Sequence, residues 1–363
     1  MRGVCREQKK YGVSWLIPAD AEKPADPRGD KKQPSAEAPE CFLLTPTMFF
    51  KRNFKAAGSV KPQCYRPLLE ADTAYRRGDP KPAMSLWRST ADDAPSKLTV
   101  ATIATVAAIS TGDFALYEQI NEYLSNRIAK AKDKRAIALL SLPSALAAVS
   151  MSAVEMTPQW LKDGDFSLFS REHIPFLLYL YALHLRNTDN ISAVLYTAKT
   201  SYELCAQTNT FTWLDIYNSV LCAQASFDLG DKERAKEYLL CAMRLGLPAG
   251  FIAPFADYLG TLGGLVEMCL DAHYPQYKAP VTALWNQAFK NWMTFHNQFT
   301  GANITTILTP REYQLARYIA HGASYAEASK QMHLSVGRVK NILLEVYSKL
   351  YISKRSQLTR FVT

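Results

Sequence analysis

Helical periodicity across the middle of the chain constrains the fold more than any other feature. Between residues 62 and 295, apolar side chains recur at intervals of three and four residues, which places them on one face of an α-helix. No part of this stretch sustains an apolar-polar alternation rich in β-branched residues, so a sheet is not expected. The pattern predicts helices over these ranges: 99–109, 114–128, 174–185, 191–205, 211–229 and 232–245. We therefore predict an all-α fold.

Three Gly-Asp pairs, which begin at Gly78, Gly112 and Gly230, separate predicted helices, and the first two are 34 residues apart. Glycine accepts the left-handed conformation that ends a helix, and aspartate caps the start of the next helix. Ala83 and Ala235 follow two of these pairs at the same offset, and a small side chain there lets two helices pack closely. The turns therefore predict stacked pairs of helices.

The turns and their spacing resemble the tetratricopeptide repeat, a family of helix pairs that stack into a superhelix. The sequence departs from the family pattern at two points. Tyr117 stands where the pattern expects a small residue, and the 118 residues between Gly112 and Gly230 are not a multiple of 34. We interpret residues 62–295 as a degenerate tetratricopeptide-like array, and an irregular helical domain is the alternative. Both interpretations favour recognition over catalysis.

Basic charge is concentrated at the two ends of the 363-residue chain, whose formal net charge is +9. Residues 303–363 carry +6 and residues 1–61 carry +5, whereas the stretch between them carries −2. This distribution indicates an anionic partner for the ends and none for the middle. Five prolines fall among charged and small residues between positions 18 and 40. We predict that the N-terminal region, residues 1–61, is largely disordered.

The seven cysteines are scattered and include no C-x-x-C pair, which predicts reduced thiols in a cytoplasmic protein rather than disulfides or zinc. Residues 136–154 carry no charge over 19 positions, which is close to the length of a membrane span. Pro143 and several serines interrupt this stretch. We therefore interpret it as buried helical surface and expect no membrane partner.

Signals for starting a helix follow one another near the end of the sequence. Thr309 and Glu312 are spaced as a capping box with proline at the first helical position, Ser324 and Glu327 form a second box, and Ser335 starts a third helix. Helices are predicted over these ranges: 310–320, 325–332, 336–350 and from 353 onward. The short turn between the second and third of these helices is typical of a helix-turn-helix DNA-binding domain.

The third of these predicted helices has two distinct faces. An apolar stripe consists of Val339, Leu343, Val346 and Leu350, with Ile342 at its edge. The other side carries Arg338, Asn341, Leu344, Glu345 and Ser348, with Lys340 on its flank. The stripe predicts a buried core, and the polar side has the residues that a helix needs to reach base edges in the major groove.

Several short segments resemble the C-terminal helix-turn-helix domain of LuxR-type transcription regulators. The segments are LTPRE (308–312), GASYAE (322–327), LS (334–335), VKN (339–341), VYSKL (346–350) and RSQ (355–357). The resemblance implies that the third helix enters the major groove, that the second helix and its turn touch phosphates, and that the fourth helix supports a homodimer on double-stranded DNA. The implied DNA-binding residues are Ser324, Tyr325, Ser335, Arg338, Lys340, Asn341 and Lys349, and Leu344 is a further candidate because a leucine is unusual on an exposed face.

Five positions depart from the LuxR-type pattern. Arg338 replaces the usual threonine, Ile342 replaces a frequent histidine, and Tyr351 replaces the glycine that normally ends the third helix. Ala328 and Ser329 replace a larger aliphatic residue and an alanine in the second helix. We expect an altered base preference and a looser domain. Leu344 is predicted to meet a thymine methyl group or a partner surface.

Motifs for catalysis or nucleotide binding are absent from the sequence: it has no G-x-x-x-x-G-K-[ST], G-x-G-x-x-G, H-E-x-x-H or G-x-S-x-G. We expect no enzyme activity, no cofactor and no metal. The favoured function is a bacterial one-component transcription regulator, in which residues 62–295 sense a small molecule or protein effector, residues 296–307 are a linker and residues 308–363 read DNA. The alternative is a helical-repeat scaffold whose C-terminal domain no longer binds DNA.

Overall fold

The structure is a computed structural model that describes residues 49–50, 66–94, 96–206, 211–262, 264–301, 308–350 and 352–361. The region predicted to be disordered, residues 1–61, lies outside these ranges except for strand β1, Phe49–Phe50. This strand pairs antiparallel with β2, Phe211–Thr212, so that Phe49 lies opposite Thr212. All other regular structure in the described ranges is helical, and the predicted all-α class is confirmed.

Helices before residue 302 form what we call the body. They are α1 (Arg66–Arg76), α2 (Lys81–Ser89), α3 (Lys97–Thr111), α4 (Phe114–Lys130), α5 (Lys134–Leu140), α6 (Leu142–Ser150), α7 (Gln159–Lys162), α8 (Ile174–Asn187), α9 (Ile191–Ala206), α10 (Trp213–Asp228), α11 (Lys232–Gly246), α12 (Ala253–Asp257), α13 (Leu265–His273) and α14 (Lys278–Thr300). Short 3-10 helices lie at Val154–Met156, Arg171–His173, Leu247–Ala249 and Pro275–Tyr277. The six predicted body helices match α3, α4, α8, α9, α10 and α11 to within two residues at each end.

The predicted Gly-Asp turns join consecutive helices of the body. Gly112 and Gly230 adopt positive φ angles of 76° and 86°, which glycine accepts without steric strain. Asp113 and Asp231 then accept hydrogen bonds from the third residue of the following helix, as N-cap residues do. Ala235 is fully buried where α11 packs against α10. The prediction is confirmed for these two turns and for Ala235, whereas at the first turn Gly78 has a φ of 90° but Pro80, not Asp79, is the N-cap of α2.

Tyr117 marks the point where the body departs from a simple repeat. Its ring is buried and packs edge-on against Phe295 and Phe299 of α14, at centroid distances of 5.3 and 5.2 Å. Phe114 stacks on Phe295 as well, at 4.0 Å. A helix from much later in the chain thus packs against the start of α4, and a bulky residue fills the contact. The tetratricopeptide-like arrangement stays a prediction.

The uncharged stretch 136–154 forms most of α5 and all of α6, and most of its side chains are buried. Such burial agrees with its interpretation as packed helical surface. None of the helices in the described part of the chain is long and apolar enough to cross a bilayer. Cys222, Cys241 and Cys269 are buried.

Residues 308–361 form a C-terminal domain with α15 (Pro310–Ala320), α16 (Tyr325–Gln331), α17 (Val336–Lys349) and a 3-10 helix, Arg355–Arg360. Its first three helices match the predicted ranges. The fourth was expected to begin at residue 353, but the regular structure begins at Arg355 and is a 3-10 helix. The side-chain oxygen of Gln357 accepts hydrogen bonds from the backbone N–H groups of Ser353 and Lys354, and Lys354 is the N-cap of the 3-10 helix.

The predicted linker, residues 296–307, is helical over its first part because α14 continues to Thr300. His296, the first linker residue, is buried, and its Nδ1 donates to the Met151 carbonyl oxygen at 2.7 Å. Tertiary packing of this polar segment against the body therefore extends the helix. Residues 302–307 lie outside the described ranges.

Candidate nucleic-acid interface

Side-chain caps fix where each helix of the C-terminal domain begins. The Thr309 hydroxyl accepts from the Glu312 N–H at 3.3 Å, and the Glu312 carboxylate accepts from the Thr309 N–H at 2.7 Å. Ser324 and Glu327 form the same reciprocal pair at 3.2 and 2.7 Å. Ser335 accepts from the Arg338 N–H at 3.2 Å and caps α17. Each cap satisfies backbone donors that a helix start would otherwise leave unpaired, so all three predicted starts are confirmed.

The two faces predicted for α17 are present in the structure. The buried stripe consists of Val339, Ile342, Leu343, Val346 and the adjoining Leu350. It packs with Leu315, Ala316 and Ile319 of α15 in one apolar cluster. The exposed side carries Arg338, Lys340, Asn341, Leu344, Glu345 and Ser348. The burial of one face orients the other face outward, away from the domain core.

The predicted phosphate-contacting residues lie at the helix starts. Ser324 and Ser335 are exposed, and their hydroxyl oxygens are the N-cap acceptors of α16 and α17. Tyr325, the first residue of α16, is 36% exposed. Helix N-termini attract anions because their N–H groups and the helix dipole point outward. The chemistry of both helix starts is therefore compatible with phosphate contact.

Lys349 differs from the other predicted DNA contacts because it forms an ion pair inside the domain. Its Nζ lies 2.8 Å from each carboxylate oxygen of Glu312, and its side chain is 35% exposed. Burial raises the pKa of Glu312, but hydrogen bonds from Lys349 and Thr309 outweigh it and hold that pKa below its ordinary value. The pair joins the last turn of α17 to the first turn of α15.

Arg355 has a structural role that the sequence did not reveal. Its Nε donates to the Ile319 carbonyl oxygen at 3.0 Å, and a terminal nitrogen donates to the Ala323 carbonyl oxygen at 3.1 Å. These bonds satisfy carbonyl groups at and just beyond the end of α15. Arg355 therefore fixes the last segment of the domain against its first helix.

Three of the five departures from the LuxR-type pattern are accommodated in the core. Ile342 and Ala328 are buried in the apolar cluster. Ser329 is buried too, and its hydroxyl donates to the Ala326 carbonyl oxygen at 2.9 Å, so its polar group is satisfied. Tyr351 lies outside the described residues. The expectation of a looser domain finds no support at Ala328 or Ser329.

One helix of the body completes the core of the C-terminal domain. Met293 of α14 is fully buried within the same apolar cluster as α15 and α17, and Phe289 and Trp292 pack against it. The Phe289 ring lies 5.2 Å from that of Tyr313. The sequence predicted that Phe289 and Met293 belong to the body alone, although their apolar spacing on one helix face is visible in the sequence.

A second contact joins the body to the turn between α16 and α17. A methyl group placed on Gly264 would lie 2.7 Å from the Gln331 carbonyl oxygen and 2.7 Å from Cδ2 of His333. The absence of a side chain at Gly264 is therefore what allows the body to approach the turn so closely. Within the described ranges, no group of His, Cys, Asp and Glu is placed to hold a metal ion.

Comparison with known proteins identifies the C-terminal domain. Residues 306–362 match the family model described as bacterial regulatory proteins, luxR family. No curated protein matches the chain. No solved structure matches it either. The resemblance seen in the sequence is thus confirmed for the C-terminal domain, which is a LuxR-family helix-turn-helix domain of the kind that binds DNA in transcription regulation.

Proposed function

We propose that the protein is a sequence-specific transcription regulator that places α17 in the major groove of double-stranded DNA. The observation that carries the proposal is the exposed side of α17, which presents Arg338, Lys340 and Asn341 opposite a fully buried stripe. Lysine and arginine contact phosphates, and amide side chains pair with base edges. The charge of +6 over residues 303–363 supplies the attraction to the duplex.

Binding as a homodimer is part of the proposal. LuxR-type domains use their fourth helix for dimerisation, and here the corresponding segment is Arg355–Arg360. Leu358 is buried and anchors this segment, whereas Ser356 and Thr359 are exposed beside it. Two domains related by a two-fold axis would read two half-sites about one helical turn of DNA apart.

The body is proposed to sense a small molecule or a protein and to transmit its state through α14. This helix is held to the body by hydrogen bonds from Asn291 to the Ser110 carbonyl oxygen at 2.9 Å and from Trp292 to the Ser150 carbonyl oxygen at 2.8 Å. Its residue Met293 belongs to the core of the C-terminal domain. Because packed cores resist gradual deformation, a shift of α14 in the body would move the DNA-binding domain with it.

The test is selection of binding sites by the full-length chain from random duplexes, followed by salt titration of the selected site. We expect log K to fall linearly with log salt. Removing two phosphate contacts with Arg338→Ala and Lys340→Ala should lower the magnitude of that slope by about one per contact. Lys132→Ala with Arg135→Ala is the matched control, because these exposed residues of the body carry the same charge.

Two outcomes would contradict the proposal. If no duplex is enriched and no salt-dependent binding is measured, the protein is better explained as a helical scaffold without DNA binding. If the control pair weakens binding as much as the α17 pair does, net charge rather than α17 accounts for the affinity. The expected result is a selected sequence whose affinity falls with the α17 pair and is unchanged by the control pair.

A further inference from the structure

The centre of the exposed face of α17 is uncharged. Gly337, Asn341, Leu344 and Ser348 follow at steps of four, three and four residues. At roughly 100° per residue, these four positions fall within about 60° of one another around the helix axis. They form a single line along the side opposite the buried stripe, and we call this line the central line.

Two residues of the central line are exposed, and no contact within the described ranges accounts for either of them. Leu344 is 66% exposed, more than any other leucine among the large apolar side chains found exposed in the described ranges. A Cβ added to Gly337, in the first turn of α17, would meet nothing closer than Ser335 Oγ at 4.0 Å, so packing does not require a glycine there. Both residues are explained if a partner approaches the helix closely along this line.

Charge on either side of the central line indicates what that partner is. Lys340 lies about 70° from the line on one flank, and Arg338 lies about 90° from it on the other flank, where Glu345 is exposed as well. The complementary surface has negative charge at both sides and a less charged floor between them. The major groove of DNA has this form, with phosphates along its walls and base edges on its floor. This step rests on the proposed function.

We infer that the central line of α17 reads A·T base pairs, with the Asn341 amide on an adenine and the Leu344 side chain on a thymine methyl group. Asparagine pairs in a bidentate manner with N6 and N7 of adenine, and apolar side chains contact the methyl group that only thymine carries. Gly337 lets the backbone of the helix approach the floor of the groove. The guanine-reading residue type, arginine, is present only on a flank.

The helical rise sets the spacing of the two contacts. Asn341 and Leu344 are separated by about 4.5 Å along the helix axis, since each residue advances roughly 1.5 Å. Base pairs in a duplex are spaced about 3.4 Å apart. The adenine and the thymine therefore belong to neighbouring base pairs, or to pairs one position further apart, in each half-site.

The experiment uses the full-length chain and the duplex that it selects. Each thymine in the selected site is replaced by uracil, which removes only the methyl group, and each adenine by 7-deazaadenine, which removes only the N7 acceptor. We expect one uracil position to weaken binding about fourfold, the effect of about one buried methyl group. One neighbouring 7-deazaadenine should weaken binding about tenfold, because it breaks one bond of a bidentate pair.

Double-mutant cycles assign these effects to residues. In the Leu344→Ala protein, the sensitive uracil replacement should have no further effect, and in the Asn341→Ala protein the same holds for the sensitive 7-deazaadenine. Leu229→Ala is the matched control, because Leu229 is an exposed leucine of the body at 50% exposure. It should bind every duplex as the unaltered chain does.

The outcomes separate this inference from the proposed function. If no duplex is selected at all, the proposed function itself is wrong. If a duplex is selected but its affinity is insensitive to every uracil replacement, or Leu344→Ala leaves the uracil effect intact, the inference is overturned and the function stands. A Leu344→Ala protein that changes its molecular mass in solution, with unchanged base preference, would show that the central line binds a second copy of the chain.

Discussion

Glu312 provides the sharpest test of how the C-terminal domain is held together. Its carboxylate accepts the Thr309 N–H at 2.7 Å and Lys349 Nζ at 2.8 Å, and the residue is 6% exposed. The hydrogen bond from the Thr309 N–H to the Glu312 carboxylate contributes about 1 kcal/mol. Because Lys349 is partly exposed, the ion pair adds about 1 kcal/mol, near the upper limit for exposed pairs. Glu312→Ala should therefore destabilise the domain by about 2 kcal/mol.

Native-state hydrogen exchange of the α15 amides measures this change, because it reports the local opening of the domain within the full-length chain. Glu327→Ala is the matched control, since Glu327 forms the same capping box but is exposed and has no lysine ion pair at this distance among the described residues. Glu327→Ala should reduce hydrogen-exchange protection less than Glu312→Ala does. Equal effects of Glu312→Ala and Glu327→Ala would refute the assigned role of the Glu312–Lys349 pair.

The same pair predicts how stability depends on pH. The pKa of Glu312 is lower in the folded protein than its ordinary value. A carboxylate of this kind stabilises the folded state above its unfolded pKa, and the stabilisation is lost as pH falls through the folded pKa. We expect α15 protection to decline below about pH 4.3 in the unaltered chain. Glu312→Gln should make α15 protection less dependent on pH in this range. Lys349→Ala should lower α15 protection but leave the salt slope of DNA binding unchanged.

Three further variants test other parts of the structure. Gly264→Ala should speed hydrogen exchange in the turn beside Gln331, because the added methyl group would lie 2.7 Å from the Gln331 carbonyl oxygen. Gly230→Ala is the matched control, since Gly230 has the same φ of +86° and a methyl group there would meet nothing within 4 Å. It should leave exchange in that turn unchanged. Glu345→Gln should strengthen binding to all duplexes and steepen the salt slope, because it removes an exposed negative charge beside the DNA-reading face. Burial lowers the pKa of His296, so the neutral form stabilises the fold and this stability is lost as pH falls below about 6.5. His296→Asn keeps a donor but does not titrate, so thermal unfolding between pH 7 and 5 should depend less on pH; an unchanged pH dependence would contradict this role.

Local features of the sequence determined the helices and the faces of α17. The capping pairs Thr309–Glu312 and Ser324–Glu327 act over three residues, and the buried stripe follows from the helical repeat, so neither depends on distant parts of the chain. The Gly-Asp turns are local for the same reason. Predictions of these features were correct because the sequence spacing alone brings the interacting groups together.

Only the tertiary structure decided which distant residues meet. Lys349 pairs with Glu312 across 37 residues, and Arg355 bonds to Ile319 across 36. Met293 of α14 completes the core of the C-terminal domain, and His296 packs against the body, so the start of the predicted linker is part of a packed helix. Such contacts depend on how whole helices pack. Periodicity and capping rules act within one helix, so they do not specify which helix surfaces contact each other in the folded protein.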